Sequence, residues 1–384
     1  MDQTIYNSDE LYPETWYSIH TGAGLDENNE RTTFLTLRVY PARYNPIKNR
    51  ISYIENIDIT LYLDIPDKTP FKANADYDLV IIAPQKFVSD VQPLVDHKNI
   101  YGMNTMLKPL GEIYSEYSGF DEPEKIKYFI KDAIETYGIK YVLLVGGLNS
   151  LINAKPRDDQ NKGVSDWHLP VRYTNLKEGS GLYDPGFISD LYYADIYDSE
   201  GNFSSWDSNG DGIYANWKFG AQRDVIDLYP DVHVGRLACR NVWEVKIMVN
   251  KIINYESEAY GASWYDRIIF VGGDSFNDPA TNYLEGEVVA DVIYDLFMNE
   301  FTPVKLYASH KTSNPSLTPE TNNIVREISE GAGHVFFDGH ANPYSWTTHW
   351  PGNFDEWISG IDIYDFFQMN NNEMLPVLCV EGCH

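Results

Sequence analysis

Cysteine is scarce: Cys239, Cys379 and Cys383 are the only three in 384 residues. Three thiols exclude a disulfide framework for a chain this long. Cys379-x-x-x-Cys383 has no second pair of thiols to complete a tetrahedral zinc site, so a mixed site would have to draw on His340 and His384. Basic residues are few as well, 29 Lys and Arg against 57 Asp and Glu, a formal net charge of -28. Such a chain offers no basic face to nucleic acid or to an anionic membrane. Its acidity suits solubility, bound cations or basic substrates. Long apolar runs are missing: nothing approaches the ~20 residues of a membrane helix. Residues Met1 to Glu30 lack the apolar core of a signal peptide, so an exported protein would already have lost its leader. Neither a G-x-G-x-x-G nor a Walker loop occurs, which sets a nucleotide-binding α/β enzyme aside.

What remains is a globular composition, 43% hydrophobic, with room for more than one core. The first 66 residues alternate in the manner of antiparallel strands, over Thr33–Tyr40 and Ile57–Leu63, with a turn at Pro41–Pro46 between them. From Asp76 the pattern becomes strand and helix in alternation. Tyr77–Ala83 and Tyr141–Gly147 are continuous apolar runs of the kind buried on both faces of a parallel sheet. Between them, one helix is expected to begin at Pro93 and another at Glu122, the latter with Ile126, Phe129, Ile130 and Ile134 on one face and an end near Gly138. Val232–Leu237 and a helix capped by Asn241 follow. The alternation then restarts with strands at Arg267–Asp274, Val304–Tyr307 and Val335–Asp338, and helices over Leu284–Phe297 and Thr318–Gly331. The fold class is therefore α/β with right-handed crossovers, two similar layers in succession.

Two strand ends carry the candidate chemistry. Gly333–Asp338 delivers Gly339-His340, and Leu375–Val380 delivers Glu381-Gly382-Cys383. Ligands of open α/β sheets bind outside the carboxyl ends of the strands, so neighbouring strands would present His340 and Cys383 on one rim. A free thiol of pKa about 8.5 is mostly protonated at neutral pH, and a nearby imidazole supplies the base that activates it. A separate stretch, Asp207-Ser208-Asn209-Gly210-Asp211-Gly212-Ile213, has the oxygen donors and sharp-turn glycine of a calcium loop's first half. Its twelfth position is Lys218 rather than Glu, so carboxylates such as Asp190, Asp195, Asp198 or Asp224 would have to complete the cage. An Asx-rich turn explains the same residues.

These pieces together resemble the gingipain family of cysteine peptidases, over about Tyr77 to His384. The resemblance is carried by the aspartate-rich Asp190–Asp195 and Asp207–Gly212, the strand Pro230–Arg236, the helix end Lys251–Glu256, the pair Gly339-His340, and Leu375-Pro376 running to Cys383. It implies a caspase-like fold: two side-by-side αβα subdomains with mostly parallel sheets, preceded by a small antiparallel β segment. The boundaries expected are 1–66 for that pro-segment-like or preceding β piece, 76–258 for a first subdomain, and 264–384 for a catalytic one. The resemblance makes His340 the catalytic histidine, although Ala341 stands where the family has Gly. It selects Cys383, eight residues after Leu375, over Cys379, which would pack inside the strand. It offers Asp274 as the acidic third member, with Glu285 behind it, and an oxyanion hole beside Gly339. It also implies further strands and helices after the nucleophile, so the chain reads as stopping inside the catalytic subdomain, with little turnover of its own.

The expected function is peptide-bond hydrolysis by a Cys-His dyad in an extracellular or cell-surface protein. Protein or peptide is the substrate, with a basic residue favoured before the scissile bond, and calcium is purely structural. The alternative is a non-catalytic calcium-binding or adhesion module on the same scaffold.

Overall fold

The computed structural model describes residues 3–62, 75–149, 166–177, 183–218, 224–278 and 283–382. The chain divides into two compact units, residues 1–247 and 248–384.

The first unit opens with two antiparallel hairpins, β1 (Tyr17–Leu25) with β2 (Arg31–Val39) and β3 (Ala42–Asn45) with β4 (Arg50–Tyr53). The first hairpin is fastened to residues 227–231. The Leu25 N–H donates to Pro230 O (2.8 Å), the Ala23 N–H to Asp227 Oδ2 (2.8 Å), and Arg31 Nη2 to Asp231 O (3.1 Å). Phe34 stacks on Tyr229 at 4.5 Å. The strand expected at Ile57–Leu63 does not form over the described part of that stretch, residues 57–62; Leu63 lies outside the described residues. Ile57, Ile59 and Leu61 are 44%, 56% and 54% exposed, because no described strand lies alongside to pair them or cover their apolar face.

The layer that follows comprises β5 (Leu79–Ala83), α1 (Val88–Ile100), β6 (Thr105–Pro109), α2 (Leu110–Glu116), α3 (Glu122–Tyr137) and β7 (Tyr141–Val145). A three-stranded sheet of β8 (Tyr173–Lys177), β9 (Tyr183–Ile188) and β10 (Asn216–Lys218) intervenes before β11 (His233–Leu237) and α4 (Val242–Glu258). The main sheet runs β11-β7-β5-β6, all parallel. All five residues of β5 are buried, as its unbroken apolar run requires. Helix α3 has the start and stop its sequence specifies. The Asp121 side chain caps the Glu124 N–H at 3.1 Å, and Gly138 closes it at φ +76°, a conformation that suits a residue without Cβ.

Helix α1 starts five residues before the expected Pro93, which lies in its interior. An interior proline forfeits a bond to the preceding turn at a cost of about 3 kcal/mol. Burial of Val91, Leu94 and Val95 on the same helix opposes that cost.

The second unit repeats the arrangement: β12 (Arg267–Gly272), α5 (Glu285–Ile293), β13 (Thr302–Tyr307), α6 (Thr321–Ser329) and β14 (His334–Asp338). Short strands follow, β15 (His340–Asn342), β16 (Ser345–Thr347), β17 (His349–Trp350), β18 (Asn353–Trp357) and β19 (Ile361–Asp362), and β20 (Val377–Glu381) comes last. Its main sheet runs β13-β12-β14-β20, again all parallel. One face packs Ile269, Val271, Val335 and Phe337 under Ile324 and Ile328 of α6. The other packs Ile268, Phe270 and Phe336 against Ala290 and Ile293 of α5. In both sheets the first strand has its sequence successor on one side and the third strand on the other. The reversal of chain direction thus opens a crevice between β12 and β14. No described helix is long and apolar enough to cross a membrane.

Candidate active site

The crevice of the second unit is where the sequence put its histidine. β14 ends at Asp338, and Gly339 turns the chain into β15, which begins with His340. Only glycine fits at 339: a Cβ there would lie 2.8 Å from the Trp346 ring and 2.9 Å from Thr347 O. His340 Nε2 is 2.8 Å from Ser275 O. A carbonyl only accepts, so Nε2 carries the proton and Nδ1 is the basic nitrogen. Three aromatic rings stand nearly perpendicular to the imidazole: Trp357 at 5.2 Å, His349 at 5.8 Å and Phe276 at 6.2 Å.

Asp274 follows β12 and is buried, but its carboxylate is not hydrogen-bonded to His340. Oδ2 accepts the Gly352 N–H at 2.8 Å, and Oδ1 has no hydrogen-bond partner among the described residues. Burial pushes this carboxyl above its usual range and Glu285 and Asp278 add to the effect, while the Gly352 amide opposes it. Glu285, the carboxylate expected behind Asp274, takes the Ser275 N–H on Oε2 at 3.0 Å. Ser275 is thus held at its amide by Glu285 while its carbonyl orients His340.

β20 lies beside β14 in register, with Glu381 opposite Asp338. The Gly339 N–H donates to Glu381 O at 3.3 Å, so the amide expected at the oxyanion position is engaged in a long ladder bond. One residue on, a Cβ at Gly382 would lie 2.6 Å from the Ala341 Cβ. The residue before Cys383 therefore lies against the residue after His340. Cys383 and His384 themselves lie outside the described residues. Asp338, crowded by burial and then by Glu381 and Glu285, has its carboxyl pushed up to about 6. Cys379 was expected as interior packing and is exposed; among the described residues β20 is paired on one side only. Cys239 is buried, and burial followed by the nearby Glu244 pushes its thiol up to about 11.

Residues 72–384 match the profile of peptidase family C25. The chain belongs to peptidase family C25. It is 22% identical over 352 residues to gingipain R2 of Porphyromonas gingivalis, covering 87% of this chain and 38% of that protein. It is 23% identical over 325 residues to gingipain R1 of Porphyromonas gingivalis, covering 82% of this chain and 25% of that protein. The chain thus spans well under half the length of these relatives. The crystal structure of the Arg-specific cysteine proteinase gingipain R superposes with a TM-score of 0.51 at 21% identity, over 82% of this chain and 56% of that one. That likeness concerns the fold: an α/β chain with two parallel four-stranded sheets and antiparallel hairpins at its start. C25 is a family of cysteine peptidases, so protein is its substrate class.

Sequence reasoning missed His349, Trp357 and Ser275 in this C25 chain. The clustering of Trp and His between Trp346 and Trp357 was the one local signal for the first two, and Ser275 had none.

In the first unit, the Asp207 loop folds on its own amides. Asp207 Oδ1 and Oδ2 accept the N–H groups of Asp211 (3.0 Å) and Gly212 (2.9 Å), Asn209 Oδ1 accepts that of Asp211 (2.8 Å), and Asp211 Oδ1 that of Ile213 (2.8 Å). The donors are the hard oxygens calcium takes. Three of the four carboxylates considered for completing the cage are turned elsewhere: Asp190 to Arg236, Asp195 to the Trp206 indole, and Asp198 to the amides of Glu200 and Asn202. Asp224 alone reaches the loop, accepting the Ser208 N–H at 2.9 Å. Among the described residues no group of three His, Cys, Asp or Glu side chains is placed to hold a metal.

Proposed function

We propose that this chain carries the nucleophile and base of a cysteine endopeptidase, Cys383 and His340. The observation that supports it most is the pairing of β14 with β20: hydrogen-bonded strands end together, and Gly382 packs on Ala341. His340 Nδ1 takes the thiol proton, and the thiolate attacks the scissile carbonyl. The imidazolium then protonates the leaving amine, and water, deprotonated by the same nitrogen, hydrolyses the thioester. Backbone amides near Gly339, other than its own N–H held by Glu381 O, and the amide of Cys383 hold the oxyanion, each worth about 3 kcal/mol. The acidic member acts at one remove, since His340 is oriented by the carbonyl that follows Asp274.

A basic side chain before the scissile bond fits the crowding of Asp338, Glu381 and Glu285 at this rim, because a cation relieves their mutual repulsion. Gingipain R, the structural relative, is an Arg-specific proteinase, which points the same way.

Alkylation tests the dyad. Iodoacetamide at about pH 6 is expected to modify Cys383 at least tenfold faster than Cys379, which is exposed but has no described imidazole partner, and to leave Cys239 untouched in the folded protein. Equal rates at Cys383 and Cys379, read by peptide mass mapping, remove the proposal.

Calcium is proposed as a structural ligand of Asp207, Asn209, Asp211 and the Ile213 carbonyl. An extracellular or cell-surface setting, where calcium modules work at about 10⁻⁴–10⁻³ M, is part of the same proposal. Adding calcium at ten times its Kd is expected to stabilise the chain by about 1.4 kcal/mol, an effect lost in Asp207→Ala. Identical thermal unfolding in calcium and in EGTA rules the site out.

A further inference from the structure

Asp274 Oδ1, Ser275 Oγ and His349 Nδ1 are buried without a hydrogen-bond partner among the described residues. Polar atoms left so in a protein interior are uncommon and call for an explanation. All three belong to one small piece of structure. Asp274 and His349 form an isolated antiparallel bridge, the Asp274 N–H donating to His349 O (3.3 Å) and the His349 N–H to Asp274 O (3.2 Å). Residues directly opposite in such a pair project their side chains to the same side, with Cβ atoms roughly 5 Å apart. A carboxylate and a second imidazole therefore stand side by side. The His349 ring is 5% exposed and lies 3.6 Å from the Trp357 ring, 5.0 Å from Phe354 and 5.8 Å from His340, nearly perpendicular to the last.

We propose that His349 is a positioning residue for His340: its ring, backed by Trp357 and held by the backbone bridge to Asp274, forms the inner wall that keeps Nε2 of His340 on Ser275 O and leaves Nδ1 as the basic nitrogen. The purpose of this wall rests on the peptidase reading, but its geometry does not. When His340 gains the thiol proton, the new cation stands 5.2 Å from the Trp357 ring and 5.8 Å from that of His349, which carries no charge of its own while neutral. A protonated His349 would repel it. Burial, then the neighbouring His340, holds His349 below the usual imidazole range, with Asp274 pulling the other way. The other charged groups around it are Glu285 and Asp278, which act on Asp274; Asp355 and Glu356 on β18; and His310 and Lys311, on the short helical turn against β17, where Lys311 lies 4.1 Å over Trp350.

Two measurements on the same protein decide it. Long-range ¹H–¹⁵N spectra of the imidazoles report the tautomer. The wild type is expected to show His340 as the Nε2–H form, His349→Phe to keep that signature, and His349→Ala to average the two nitrogen shifts. Unchanged His340 shifts in His349→Ala overturn the proposal. Should that variant not fold, Trp357→Leu, at a position 54% exposed, removes the backing ring and is expected to give the same averaging; unchanged shifts there overturn it equally. In the second measurement, Cys383 alkylation is followed from pH 8 to 4.5. The wild-type rate is expected to fall more steeply than tenfold per pH unit at the acid end, approaching about 100-fold, where the ion-pair thiolate and His349 both take up protons, and that of His349→Phe about tenfold, from the thiolate alone. Superimposed profiles count against the charge role of His349. If wild-type Cys383 is not activated at all, the peptidase reading fails, while the tautomer result still decides the wall.

Discussion

His340→Ala is expected to slow alkylation of Cys383 about 100-fold at pH 6. The size follows from ionisation: an unassisted thiol of pKa about 8.5 is roughly 0.3% thiolate at that pH. A thiol paired with an imidazolium is mostly ionised, although its lower basicity makes each thiolate somewhat less nucleophilic. The sign is set by the base. In the wild type the reactive thiolate persists below neutrality, whereas in His340→Ala the rate should fall tenfold per pH unit below about 8.5 and rise to meet the wild type only in alkali. Cys383→Ala removes the modified peptide altogether, and any turnover falls with it by about 10⁶-fold, as when a peptidase loses its nucleophile. Indistinguishable pH profiles for wild type and His340→Ala would sink the dyad without reference to any substrate.

Arg236→Met should destabilise the first unit by about 3–5 kcal/mol, the usual result of breaking a buried ion pair from one side. All five N–H donors of this guanidinium are used. Nε and Nη2 grip Asp190 at 2.7 and 2.8 Å, Nη1 donates to Gly146 O (2.8 Å) and Leu169 O (3.0 Å), and Nη2 also donates to Pro170 O (3.1 Å). With the side chain only 9% exposed, its removal takes from a carboxylate and the Gly146 and Leu169 carbonyls their guanidinium donors, while Pro170 O keeps the Tyr193 hydroxyl. Arg236→Lys keeps the charge but has three rotatable donors and no planar fork, so it is expected to recover less than half of the loss. Urea unfolding of the full chain reads the effect. A midpoint for Arg236→Met within about 1 kcal/mol of wild type would show that the network contributes little.

Both results bear on how far the residues alone reach. Arg236 stood in the sequence as one letter of a strand resembling others in its family, with no role attached. Its role as a clamp on three separate loops depends on β11 lying beside β7. The strand leading to Gly339-His340 was legible because an apolar run ending in Gly-His is a local pattern, and so was the second apolar run, now β20, that precedes Cys383 in the sequence. The partners of His340 were not. Asp274 was expected to face the imidazole directly, yet its carboxylate meets the Gly352 amide and the orienting oxygen belongs to Ser275. Cys379 was expected inside and is exposed on a strand with one described neighbour, and a strand's own residues do not state how many neighbours it has. Ile57–Leu61 shows the same limit from the other side: a period-two pattern that no described neighbour pairs.

By itself, then, the sequence determined the α/β class, the order of strands and helices, the strand ends that carry His340 and Cys383, and the acidity of the surface. These depend on burial periodicity and on backbone preferences that act within a few residues. The tertiary structure decided which polar groups meet: Ser275 with His340, Asp274 beside His349, Arg236 with Asp190. Those contacts join residues 46 to 75 positions apart, and their geometry is set by strand pairing and side-chain packing, which no local pattern specifies.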